Sequence, residues 1–168
     1  MINLELILPE IFISLSIMFL LILGVFKKDS SKIIQNLSLI VLLITSVLIF
    51  NETFGKDETM LFNDSIIIDY LSSLMKIITL LSAFFVLVIS SNYLKSFKIF
   101  KIEYPILILS SVLGMIIMIS SNDLIVFYMG LELQSLALYV LATYNRDQLK
   151  SSEAGLKYFV LSALSSGL

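Results

Sequence analysis

Glu132 stands in the middle of a run of mostly apolar residues, Leu124 to Tyr144, with hydroxyl-bearing residues at Tyr128, Ser135, Tyr139 and Thr143. These spacings of four, three, four and four gather the five side chains into an arc of about 80° on a helix turning 100° per residue. The opposite side is mostly Leu, Val and Ala, with Gln134 the exception. A carboxylate flanked by groups that both donate and accept hydrogen bonds is what a proton relay needs. Ser and Tyr on a helix face are otherwise the polar glue of helix packing. Hydroxyls alone favour packing, and the acid among them turns the balance toward a proton path.

Two lysines could serve that acid. Lys157 sits about one turn from the inner end of a sixth apolar stretch, and Lys76 about three turns from the outer end of a third. Either ammonium can snorkel to the membrane surface, Lys76 with more strain. Glu153, four residues before Lys157, offers a helical ion pair in the favourable order. Lys157 is the stronger candidate for proton transfer and Lys76 the weaker. An ammonium about 4 to 6 Å from Glu132 would interact with it by several kcal/mol at intermediate dielectric and lower its proton affinity. Moving the cation would then move the proton.

The elements that must hold these groups are membrane spans. Hydrophobic residues make up 58% of the chain and charged residues 14%, far from the half and quarter typical of soluble domains. Apolar runs extend over about 9–26, 33–50, 66–94, 105–121 and 124–144, and a sixth begins near Ala154. The expected fold is all-α: a polytopic transmembrane helical bundle of five complete spans and a truncated sixth, with no internal repeat, treated as one domain. Fifteen residues from Ala154 reach about 22 Å against a hydrocarbon core of about 30 Å. The chain is therefore expected to be the N-terminal part of something longer. Pro9 and Pro105 fall at the starts of their runs, where a missing N–H costs nothing. Ser120 to Asp123 form a tight turn in which Asn122 or Asp123 can cap the fifth helix.

Placing a charged group at the centre of such a span costs about 2.5 to 3.5 kcal/mol even on lenient scales. Lys27, Lys28 and Lys32 follow the first span, Lys95, Lys98 and Lys101 the third, and Arg146 and Lys150 the fifth. The opposite connections hold Lys56 beside Glu52, Asp57, Glu58, Asp64 and Asp69, and the start of the chain holds Glu5 and Glu10. Basic loops stay in the cytoplasm, which puts the N-terminus outside. The lack of basic residues before the first run argues against a cleaved signal peptide.

Cysteine and histidine are both absent, which excludes disulfides, cysteine-ligated iron–sulfur clusters and the usual zinc and haem ligands. No metal or cofactor is expected in this chain, and no basic patch offers a site for nucleic acid. The expected surroundings are the lipid bilayer and other membrane subunits.

The segments Gly130-Leu131-Glu132-Leu133-Gln134-Ser135-Leu136-Ala137-Leu138-Tyr139, Asn145-Arg146-Asp147 and Glu153-Ala154-Gly155-Leu156-Lys157-Tyr158-Phe159 carry a dense and specific likeness over about the last fifty residues. It continues upstream through Leu113-Gly114-Met115 and Ser121-Asn122-Asp123-Leu124 and loosens before Ile66. In these the chain resembles the subunit N family of proton-pumping NADH:quinone oxidoreductase, bacterial respiratory complex I. The resemblance implies an antiporter-like fold in the bacterial inner (plasma) membrane, with Glu132 as the acid of the first repeat and Lys157 as one of the proton-transferring lysines. It further implies that NADH, flavin, iron–sulfur clusters and quinone reside on other subunits, and that neighbouring membrane-arm subunits are the partners. An antiporter-like subunit of a cation/proton antiporter or of a membrane-bound hydrogenase shares the same acid and lysines, and a non-transporting scaffold remains as a third alternative.

Overall fold

The computed structural model describes residues 4–26, 31–53, 59–96 and 99–167. Lys27, Lys28, Lys56, Asp57, Glu58 and Lys98, used above to orient the chain, lie outside them. A 3-10 turn at Leu4–Ile7 leads into α1 (Leu8–Phe26) and α2 (Ser31–Thr53). A hairpin of β1 (Thr59–Leu61) and β2 (Ile66–Ile68) precedes α3 (Tyr70–Ser96), α4 (Glu103–Ser120), α5 (Leu124–Ala142) and α6 (Leu149–Gly167). The helices α1 to α5 are each long and apolar enough to cross a bilayer.

The third apolar run begins at Ile66, but its helix begins at Tyr70. Ile66–Ile68 instead pairs antiparallel with Thr59–Leu61 around Phe62, Asn63 and Asp64, all at positive φ. Three consecutive β-branched residues favour that extended ribbon over a helical turn. Leu61 and Ile68 bury their side chains with Leu6 in a small cluster of their own. Asp69 then starts α3: its Oδ1 accepts from the Ser72 amide at 2.7 Å while the Ser72 hydroxyl accepts from the Asp69 amide at 3.1 Å. Those Ser72 bonds hold the Asp69 carboxyl below its ordinary value.

The helices pack through stripes at spacings of three and four. Ile13, Ile17 and Leu20 of α1, Ile34, Leu42 and Ile49 of α2, and Leu80, Ala83 and Leu87 of α3 close around Ile106, Leu109, Val112 and Ile116 of α4. Two hydroxyls in that core are satisfied within their own helix: Ser38 donates to the Gln35 carbonyl at 2.7 Å, and Thr45 to the Val41 carbonyl at 2.6 Å. Neither hydroxyl is left as an orphan donor in the apolar interior. The outward surface is the reverse, with Phe19, Phe26, Val47, Phe85 and Ile89 exposed as lipid-facing helices require.

α5 is fixed at both ends. At the hairpin end, the Asn122 amide donates to the Ser65 carbonyl at 2.9 Å and its Nδ2 to the Asp64 carbonyl at 2.7 Å. Asp123 is the N-cap, accepting from the Ile125 amide at 3.3 Å. At the opposite end, the Tyr144 hydroxyl accepts from the Lys101 amide at 2.9 Å, and its ring stacks edge-on with Tyr104. Burial raises the Tyr144 phenol above its ordinary pKa.

Candidate functional site

Between those anchors, α5 is pressed against α4 at a glycine crossing. A Cβ on Gly114 would lie 2.6 Å from the Gln134 nitrogen and 2.7 Å from the Gly130 carbonyl oxygen. A Cβ on Gly130 would lie 2.9 Å from both the Gly114 oxygen and the Met118 nitrogen. Only paired glycines allow backbones this close. The crossing lies two residues before Glu132, so it sets the rotation of the helix that carries the acid.

Glu132 lies about 12 Å into α5 by rise, near the middle of a helix about 28 Å long. Its carboxylate is partly buried and accepts a hydrogen bond from Ser135 Oγ at 3.0 Å on Oε2. The same hydroxyl stands 3.0 Å from the Glu132 carbonyl oxygen, so one O–H is shared between backbone and acid.

The stripe continues onto α6. Tyr139 is buried, and its phenol donates to the Ser162 hydroxyl. Its ring meets Tyr158 and Phe159 edge-on, with centroids at 4.9 and 5.7 Å. Thr143 packs on Gly155 so tightly that a Cβ there would fall 1.9 Å from Thr143 Cγ2. A cleft of about 270 Å³ between the two helices is lined by Tyr139, Thr143, Ser152, Gly155 and Phe159. Tyr128, at the other end of the stripe, is exposed.

The register places Lys157 away from the acid. With Gly155 opposite Thr143 and Phe159 beside Tyr139, Lys157 lies level with Leu141, nine residues or roughly 13 Å along the axis from Glu132. Lys157 Nζ is bonded to Glu153 Oε1 at 2.6 Å, with both side chains exposed. The direct ammonium–carboxylate contact with Glu132 that the sequence suggests is therefore not formed. Two charges separated by about that offset interact by about 1 kcal/mol at an effective dielectric of 20, against about 3 at 5 Å.

Lys76 is instead deeply buried and paired with Glu10 of α1 at 2.6 Å. The sequence held no local sign of this contact, which spans 66 positions. Ser162 did leave a signal: Tyr158, Ser162 and Ser166 repeat every four residues, a second polar stripe facing the first. Among the described residues, no group of three or more acids could hold a metal ion.

Residues 121–168, which contain Glu132, Tyr139, Lys157 and Ser162, match the family described as NADH:quinone oxidoreductase/Mrp antiporter, TM. Over 99% of its length the chain is 71% identical to NADH-quinone oxidoreductase subunit N of Pelagibacter ubique (strain HTCC1062), of which it covers 35%. It is 51% identical to the subunit N of Bartonella bacilliformis (strain ATCC 35685 / KC583 / Herrer 020/F12,63) over 99% of this chain and 34% of that one. The chain thus spans about a third of the length of the curated relatives it matches. In the solved structure titled respiratory complex I from Thermus thermophilus with bound Aureothin, one chain superposes with a TM-score of 0.77 at 23% identity. That likeness covers 95% of this chain and 34% of the other, and it bears on the fold.

Proposed function

We propose that the chain, which is similar to NADH-quinone oxidoreductase subunit N over the third of that protein it spans, is part of a proton-translocating membrane-arm subunit of that enzyme. In this reading it lies in the bacterial inner membrane with its N-terminus outside and contacts other membrane-arm subunits. NADH, flavin, iron–sulfur clusters and quinone are bound elsewhere, and this chain supplies proton transfer to their redox chemistry.

The observation that carries the proposal is Glu132: an acid at mid-span, oriented by the Gly114–Gly130 crossing, hydrogen-bonded by Ser135 and continued by the Tyr139–Ser162 pair. The carboxylate takes up a proton when the local cation is distant and releases it when one approaches. The Lys157–Glu153 contact gives that cation a resting place. Exchanging Glu153 for a path toward Glu132 would strengthen the electrostatic coupling from about 1 to about 3 kcal/mol. Ser135, Tyr139 and Ser162 supply hydroxyls along the interval between the two groups.

Glu132→Gln in the full-length subunit of the assembled complex tests this directly. The variant should oxidise NADH while moving fewer protons per electron into sealed vesicles. An unchanged ratio removes Glu132 from the path. The matching family's description also includes Mrp antiporters, so cation/proton exchange is the second reading. It is favoured if a sodium gradient, with no electron donor present, drives proton movement that Glu132→Gln abolishes.

A further inference from the structure

The ion pair most deeply set among the described residues belongs to helices that the site above does not use. Glu10, in the first turn of α1, meets Lys76, about 9 Å into α3, at 2.6 Å, and their side chains are only 14% and 4% exposed. Glu10 Oε2 is buried and receives no hydrogen bond from the described residues. A carboxylate in an apolar interior needs donors on both oxygens to be held as an anion at low cost. Among the described residues, one oxygen is served by the ammonium and the other by no donor.

Packing alone does not account for such a pair. Apolar residues of similar volume usually clamp two helices as well as, or better than, a buried ion pair, because they avoid the desolvation of both charges. An ionisable group retained inside a membrane span points to ion or proton handling.

Lys76 also has a second acid within reach of its field. Asp69 precedes it by seven residues, which returns the helix to within about 20° of the same line and places Asp69 about 10 Å nearer the hairpin end. The Lys76 charge adds to the hydrogen bonds of Ser72 in holding the Asp69 carboxyl below its ordinary value. The other ionisable side chains described on the surrounding helices lie elsewhere. Lys32 of α2, Tyr93 and Lys95 of α3, and Glu103 and Tyr104 of α4 are at the opposite end, and Tyr70 is exposed at the start of α3. Lys76 therefore stands between one buried acid and one at the hairpin surface.

We propose that Glu10 and Lys76 form a second proton-exchange site, separate from Glu132, that opens to the water at the hairpin end. Glu10 binds a proton from that water as an O–H bond on Oε2, which neutralises the carboxylate, and the Lys76 ammonium turns toward Asp69. Returning the proton from Oε2 to water restores the Glu10–Lys76 ion pair. No electron moves, and the lysine keeps its proton throughout.

The site can be tested in the full-length subunit within its complex, reconstituted in lipid vesicles. The variants are Glu10→Gln, the double Glu10→Gln with Lys76→Gln, and Glu132→Gln for reference. The double variant keeps a hydrogen-bonded bridge between α1 and α3 with nothing to titrate, so it serves where the single variant fails to assemble. Infrared spectra recorded across a pH titration should lose one protonated-carboxyl band in either Glu10 variant and keep it in Glu132→Gln. A spectrum that retains every carboxyl band in an assembled Glu10 variant overturns the proposal and leaves the pair a clamp. The proton-to-electron ratio, which rests on the function proposed above, should fall in the Glu10 variants as well as in Glu132→Gln. A fall in Glu132→Gln alone removes Glu10 from translocation, whereas no fall in any variant contradicts the translocation reading and leaves the infrared band to decide the exchange site.

Discussion

Two lysines lie at comparable depths in their helices, and the bundle treats them in opposite ways. Lys76 is closed in between α1 and α3 with an acid from a distant helix, whereas Lys157 stands exposed with an acid from its own. Helical neighbours at four residues can always find each other, so the Lys157–Glu153 pair is available in an isolated helix. The Lys76–Glu10 pair exists only once α1 and α3 are packed. The first pair is exposed and the second enclosed; in the readings proposed above, Lys157 switches and Lys76 rests until Glu10 is protonated.

The largest effect should come from splitting the buried pair. Lys76→Met leaves the Glu10 carboxylate unpaired and should lower the unfolding free energy of the full-length subunit in detergent by about 3 to 5 kcal/mol. Lys76→Met combined with Glu10→Leu should recover most of that loss. Equal destabilisation by the single and double variants would mean that the ions do not depend on each other.

Next in size is the α4–α5 crossing. Gly130→Val forces a branched side chain against the Gly114 oxygen and the Met118 nitrogen, both backbone atoms. It should cost about 1 to 3 kcal/mol and reduce proton translocation with Glu132 intact. A variant that pumps normally would show that the rotation of α5 is not what the glycines secure.

Asp69→Ala should cost about 1 kcal/mol as a lost helix cap. Because the Asp69 carboxyl is held below its ordinary 3.8, the stabilisation it provides is fully present above that value and is lost as pH falls through the lowered one. Thermal unfolding followed across acid pH should flatten in this variant relative to the parent. The smallest effect belongs to Glu153→Gln: an exposed pair contributes about 0.5 kcal/mol or less, and less still at high salt. Stability should be nearly unchanged, while proton translocation changes because Lys157 has lost its resting partner. A large loss of stability there would make Lys157 as fixed as Lys76.

The comparison also shows what a sequence exposes. Spans, the Asp123 cap and the Glu132–Ser135 bond depend on residues a few positions apart, where helical periodicity governs who meets whom. Apolarity alone starts the third span at Ile66, because Ile66–Ile68 is as apolar as a helix start, whereas pairing with Thr59–Leu61 decides its conformation. The distance between Glu132 and Lys157 depends on how α6 slides along α5, which is set by Gly155 beneath Thr143 and by Tyr139 against Phe159. Depth counted along each helix separately does not reveal that offset. Glu10 read as a surface acid of the N-terminal segment because only the packing of α1 on α3 brings Lys76 to it.

Infrared difference spectroscopy of the intact complex during quinone reduction tests the central claim, a changing proton on Glu132, most directly. Turnover should produce a carboxyl band that Glu132→Gln removes and that shifts when Lys157 is replaced by Met. A turnover spectrum identical in the parent and in Glu132→Gln would contradict it.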